Sequence, residues 1–203
     1  MNGNLIIKNA SELVTCSGFA AKKGKDMAEL HTIHDGAVVV KEGRISALGK
    51  TKQILAEIEK SKLDLTDFDT IDAADRAVLP GFVDSHTHLV FGGYRAEEFS
   101  WRLRGDSYME IMERGGGILN TVEATRNAGE DELIASGIKR LDSMLSFGVT
   151  TVEGKSGYGL DKDTELKQLK AMDHLDNVHY LDVVPTFLGA HAVPEEYKGK
   201  ADA

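Results

Sequence analysis

The first 78 residues and the remainder carry different hydrophobic patterns. In the first stretch the apolar residues come in short β-type runs: NLIIKNA at 4–10, GAVVVKEGRISALG at 36–49 and FDTIDAADRAVL at 68–79. Gly, Asn and Asp turns separate them. Residues 50–61 break the alternation, with Ile54, Leu55 and Ile58 on one helical face. The pattern predicts a small β-sandwich domain over residues 1–78. On these residues alone a generic all-β module is the better-supported reading.

From residue 79 strand-like runs alternate with long helical ones. PGFVDSHTHLVF at 80–91 reads as a strand. Residues 132–148 read as a helix whose apolar face is Leu133, Ile134, Ile138, Leu141, Met144 and Leu145. Glu130 and Asp131 place acid at its start, and Gly148 sits where a helix stops. Residues 149–159 follow as strand and loop. Residues 163–176 form a second helix with Leu166, Leu169 and Met172 at helical spacing, and 180–191 a third strand. This order predicts parallel βαβ units with right-handed crossovers.

A long insertion, residues 91–127, follows the first of these strands. Gly115, Gly116 and Gly117 split it into two short helices. It is either a surface elaboration or a lid or substrate loop, since long loops after barrel strands build sites.

Composition acts mainly by exclusion. The chain has 203 residues and a formal net charge of −9 at pH 7. That acidity argues against nucleic acid or an anionic membrane as partner, though a local basic site could still bind a small anion. Cys16 is the single cysteine, so no intrachain disulfide forms. The N-terminus lacks the basic and long apolar regions of a secretory leader. No apolar run approaches the roughly 20 residues that span a bilayer. The expected location is the cytoplasm.

The chemistry centres on SHTH at 85–88. Side chains two apart in a strand share a face, so His86 and His88 project together while Thr87 points away. Two imidazoles so placed can bind one divalent metal. Asp84 lies on the same face and could orient a ring N–H or add a ligand. A pair of satisfied polar histidines in a turn is the plain alternative. The apolar strand before the pair and the Gly-rich loop after it favour the metal. His34, His174 and His179 lack such a setting and read as structural or surface residues.

LPGFVDSHTHLVFGGYRAEEF at 79–99 resembles the opening metal strand of the amidohydrolase superfamily. RGGGILNTVEATR at 114–126, TTVEGKSGYGL at 150–160 and VPTFLGAHAVPEEY at 184–197 narrow the resemblance to the imidazolonepropionase family. The resemblance implies a (β/α)8 TIM-like barrel preceded by a small β-sandwich domain. It implies hydrolysis of 4-imidazolone-5-propanoate to N-formimidoyl-L-glutamate, in histidine degradation, with one divalent metal ion per full chain, zinc or iron. By motif, His86 and His88 are metal ligands, while Arg95, Tyr158 and His191 contact substrate. A homodimer is expected from the resemblance.

The residues themselves agree with these roles. A guanidinium binds a carboxylate through two parallel N–H bonds, so Arg95 can anchor an acidic substrate. Tyr158, between Gly157 and Gly159, sits on a tight loop after a strand, where it can bond a ligand or simply pack. His191 ends the third strand, and its neutral ring can donate to a carbonyl or carboxylate.

Only three barrel strands are read from residue 79 onward, so residues 79–203 are expected to be the first βα units of an incomplete barrel. The remaining ligands and the acid–base residues are expected beyond Ala203. Rival readings are another cyclic amidohydrolase, dihydropyrimidinase- or dihydroorotase-like, an aminohydrolase of heterocycles, or a non-catalytic barrel scaffold. For a two-metal hydrolase Lys155 would be the carboxylated bridge, against its plainer reading as a loop lysine beside Glu153.

Overall fold

The computed structural model describes residues 3–18, 20–61 and 64–200. The extreme ends, on which the leader and fragment readings fall, lie partly outside these. The chain divides into two units, Met1–Pro80 and Gly81–Ala203.

In the first unit β1 (Leu5–Val14) is the centre of a five-stranded sheet. It pairs antiparallel with β2 (Thr32–Lys41), which pairs in turn with β3 (Arg44–Lys50). On its other edge it runs parallel to β4 (Asp69–Asp72) and β5 (Ala77–Val78). Alternation along β2 sends Val39 to one face and Val38 to the other. Helix α1 (Thr51–Ser61) covers the first face, where Ile54 and Ile58 pack on Ile6, Ala37 and Val39. The second face gathers Ala10, Leu13, Val38 and Ala73. A register shift between Ile7 and Ala10 bends β1, and Asn9 there adopts φ 59°. The side-chain amide of Asn9 donates to the Asp72 carboxylate, and its backbone N–H donates to Thr51 Oγ1 at 3.0 Å. Among the described residues this unit is one sheet with one α-helix and two short 3-10 helices, Gly24–Ala28 and Leu65–Asp67.

The second unit holds three parallel strands in the order β6 (Phe82–Thr87), β7 (Val149–Lys155) and β8 (Asp182–Thr186). Four helices lie between β6 and β7: α2 (Ala96–Leu103), α3 (Tyr108–Glu113), α4 (Ile118–Asn127) and α5 (Glu130–Ser146). Helix α6 (Lys162–Val178) joins β7 to β8. Apolar side chains of α5 and α6 meet the sheet, so Leu133, Leu141, Val152, Met172 and Leu175 are fully buried together. Each such side chain contributes roughly 1.5–3 kcal/mol of apolar burial. Leu166, expected on the apolar face of α6, is instead exposed, and Glu165 and Gln168 lie on the inner face. Gly137 lets α5 and α6 approach: a Cβ there would stand 2.6 Å from Leu175 Cδ1.

The insertion contains three helices rather than two. Helix α3 is short but closed by a capping box, in which Ser107 and Glu110 exchange side-chain-to-backbone bonds. Helix α2 has no apolar inner stripe: Phe99 and Leu103 are exposed and its buried residue is Glu98. No described helix is long and apolar enough to cross a membrane.

Candidate active site

β6 ends at Thr87, and its ladder with β7 shifts register between Asp84 and Thr87. Asp84 Oδ1 accepts the His86 backbone N–H at 3.3 Å instead of reaching an imidazole nitrogen. Thr87 turns inward along the ladder and donates to the Glu153 carbonyl at 2.7 Å.

His86 and His88 come out as neighbours, ring centroids 6.1 Å apart at 63°. His86 is exposed and His88 half-buried. Tyr158 stacks on His88 at 4.6 Å and 30°, and the His191 ring meets it edge-on at 4.9 Å. Tyr158 in turn meets Phe91 at 6.0 Å. So four of the five predicted side chains form one ring cluster, drawn from the end of β6 and the loops after β7 and β8; the third strand stops at Thr186, so His191 stands on the loop beyond it rather than ending the strand. The buried Nδ1 of His88 has no hydrogen-bond partner among the described residues. Burial first, then the charge of His191, pushes the His88 pKa below its ordinary 6.5, against an opposing hydrogen bond with the Ser156 backbone. The ring is therefore neutral at physiological pH, the form that offers a lone pair to a metal. Among the described residues no group of three or more His, Cys, Asp or Glu side chains could hold a metal ion, so the histidines are a pair and not a complete site.

Arg95 stands at the start of α2, and its described contact is not with the rings. Its Nε lies 3.5 Å from Glu98 Oε1. The same buried oxygen accepts the Gly117 N–H at 2.7 Å, tying the arginine to the triple-glycine turn.

Polar side chains hold the segment after β6 in place. Arg140 on α5 donates to the Leu89 carbonyl at 2.7 Å and stacks its guanidinium over Phe91 at 3.7 Å. Gln168 on α6 donates to the Val90 carbonyl at 2.7 Å, and Thr125 on α4 accepts the Gly92 N–H at 3.0 Å. Sequence reasoning missed all three: Arg140 and Gln168 are polar positions on helices read by their apolar residues, and Thr125 lies in the insertion, where no packing face was read.

Two further positions explain the Tyr158 loop. Gly157 has φ 109°, and a Cβ there would stand 2.9 Å from His191 Cβ, so the loops carrying Tyr158 and His191 can meet only over a glycine. Glu165 on α6 accepts three backbone N–H groups from this loop. Next to the histidines, Lys155 pairs with Glu153, and Thr186 Oγ1 donates to the same carboxylate oxygen at 2.8 Å. The Lys155 hydrogen bond, then that of Thr186, hold the Glu153 carboxyl below the usual range. His179, by contrast, is fixed away from the cluster, its Nδ1 accepting the Leu181 N–H and its Nε2 facing Asp142.

A sequence profile of the "Amidohydrolase family" matches residues 69–127. Imidazolonepropionase of Clostridium tetani is 60% identical over 198 residues, which is 98% of this chain and 46% of that protein. Imidazolonepropionase of Parabacteroides distasonis is 56% identical over 201 residues, 99% of this chain and 47% of that one. Over nearly its whole length, this chain is homologous to imidazolonepropionases. It spans about half the length of the curated relatives it matches.

Solved structures show the shared fold. An uncharacterized metal-dependent hydrolase from Pyrococcus furiosus matches with TM-score 0.55 at 14% identity, covering 91% of this chain and 50% of that one. Triazine hydrolase from Arthrobacter aurescens matches with TM-score 0.51 at 16% identity, over 91% and 35%. The βαβ order of the second unit is thus an α/β arrangement found in known hydrolase structures.

Proposed function

We propose that this protein is a metal-dependent hydrolase that opens a cyclic amide, converting 4-imidazolone-5-propanoate to N-formimidoyl-L-glutamate in histidine degradation. One observation carries the reading: 60% identity, across almost the entire chain, with a protein named imidazolonepropionase. The architecture proposed with it is a (β/α)8 barrel that begins with β6, β7 and β8. A small β-sandwich, to which β1–β5 contribute, precedes it. The proposed setting is the cytoplasm, with a homodimer as the assembly.

His86 and His88 would hold one divalent ion, zinc or iron, together with ligands from outside these 203 residues. The unpartnered, buried Nδ1 of a neutral His88 supports that fit. A bound ion would acidify a water molecule and polarise the ring carbonyl. Arg95 would receive the propanoate: with Nε turned to Glu98, its two terminal nitrogens remain for a carboxylate. Tyr158 would hydrogen-bond the substrate through its phenol, and the exposed His191 would donate a ring N–H to a carbonyl or carboxylate. The ion pair of Lys155 with Glu153 favours one metal over two, because a protonated amine held by a carboxylate is not free to become a carboxylated bridge.

The test is metal content together with hydrolysis of 4-imidazolone-5-propanoate by the full-length protein, wild type and Arg95→Ala. One metal per chain, and a KM raised at least about tenfold in the variant with metal content unchanged, is the expected result. Metal without turnover would move the substrate to another cyclic amide. Absence of metal would leave the two histidines as a structural pair.

A further inference from the structure

Glu165 is buried, with 3% of its surface exposed, yet no described cation pairs with it. A carboxylate costs free energy to bury unless strong donors surround it. Here the donors are the main chain. Oε2 accepts Gly157 N–H at 2.9 Å, and Oε1 accepts Gly159 and Leu160 N–H at 2.8 Å each. Three converging amides give charge-assisted bonds of the kind that fix a loop. The loop has little freedom otherwise: Gly157 and Leu160 adopt φ 109° and 55°, and a Cβ on Gly159 would stand 2.7 Å from the Glu165 nitrogen. Tyr158 lies between the anchored amides, with its ring 4.6 Å from His88 and 5.8 Å from His191.

We propose that Glu165 is a positioning residue for the substrate: its carboxylate anchors the Gly157–Leu160 turn and so sets where the Tyr158 phenol stands beside His88. The proposal rests on the reading of Tyr158 as a substrate contact. Glutamine is a poor replacement, because one end of its amide would present a donor to the donors of the loop.

The experiment is a double-mutant cycle in the full-length protein with 4-imidazolone-5-propanoate: wild type, Tyr158→Phe, Glu165→Gln and the pair. Amide hydrogen exchange is followed at Gly157, Gly159 and Leu160 in the same proteins. Each single change is expected to raise KM about tenfold, with kcat changed less. The pair is expected to raise KM little beyond either single change, because both act through one phenol. Exchange protection is expected to fall at the three amides in Glu165→Gln while the rest of α6 keeps its protection.

Additive effects on KM would overturn the proposal, since a general loss of stability adds to the Tyr158 effect. An unchanged KM in Glu165→Gln would overturn it too. If Tyr158→Phe alone leaves KM unchanged in an active enzyme, the substrate role of Tyr158 falls and the proposal with it. If the wild type fails to hydrolyse this compound, the functional reading fails. The exchange data then decide the anchor alone: retained protection in Glu165→Gln overturns it, and lost protection supports it.

Discussion

Gln168 and Val90 lie 78 residues apart in sequence, and a 2.7 Å hydrogen bond joins the glutamine amide to the valine carbonyl in a fully buried site. The other end of that amide, Oε1, is buried without a partner among the described residues. The bond ties α6 to the segment just past the two histidines.

Gln168→Leu keeps most of the volume and leaves the Val90 carbonyl unbonded. The expected loss is about 1–3 kcal/mol, at the lower end because the variant also removes the unpartnered oxygen. Gln168→Glu would bring a carboxylate against the carbonyl and should lose more. Urea unfolding measures both, and a Leu variant as stable as wild type would show the bond to be idle.

Glu98 binds the Gly117 N–H and faces Arg95 Nε. Glu98→Gln retains an acceptor for Gly117 and removes the charge opposite the guanidinium. The expected outcome is folding stability within about 1 kcal/mol of wild type and a several-fold rise in KM, because the arginine is less firmly held. A fall in kcat with KM unchanged would contradict this placing of Arg95.

Asp161 caps α6 by accepting the Thr164 N–H at 2.8 Å, and pairs with Arg126 Nε at 3.0 Å. Burial pushes its carboxyl up, but the Thr164 hydrogen bonds and the Arg126 charge outweigh it, and the pKa settles below 3.8. A lowered carboxylate pKa gives stability that is complete above the unfolded value and is lost as pH falls through the folded one. Asp161→Ala should cost about 1 kcal/mol at neutral pH. The difference from wild type should shrink as pH falls below 3.8, which denaturation midpoints across pH 7 to 2.5 would reveal.

Gly157→Ala tests the meeting of the two site loops. The added Cβ would stand 2.9 Å from His191 Cβ and 3.0 Å from the Leu188 carbonyl, at a φ that L residues avoid. At least about 1–2 kcal/mol of strain is expected. Either the Tyr158 or the His191 loop must shift, so activity should fall more than stability. Wild-type activity in this variant would remove both loops from the site.

The second unit was the more legible part of the chain. Helix α5 follows an apolar periodicity that survives in the fold because its stripe faces the sheet; on α6 the stripe is turned from the one read, with Met172 and Leu175 buried but Leu166 exposed, because the buried polar Glu165 and Gln168 share the inner face. Helix α2 was not legible, since it buries Glu98 and exposes Phe99 and Leu103. In the first unit the short strands could be read, but their arrangement as one sheet around β1 depends on pairings between residues some 65 apart. The convergence of His86, His88, Tyr158 and His191 was legible from their order after successive strands, although the third strand ends at Thr186 and His191 stands on the loop beyond it. Asp84 accepts the His86 backbone N–H two residues on, a local contact that alternation along the strand does not foresee. Glu165 left no periodic signal. The two glycines around Tyr158 were the available hint, because a tight turn needs partners for its amides.

The segment after β6 is gripped from α4, α5 and α6, through partners 33, 51 and 78 residues away in sequence. The histidine strand is made early, yet the contacts that fix its end are with helices made later, and contacts that close such long loops form slowly. A metal held by these two histidines, as proposed, would therefore meet its finished pair of ligands only once α4, α5 and α6 are in place.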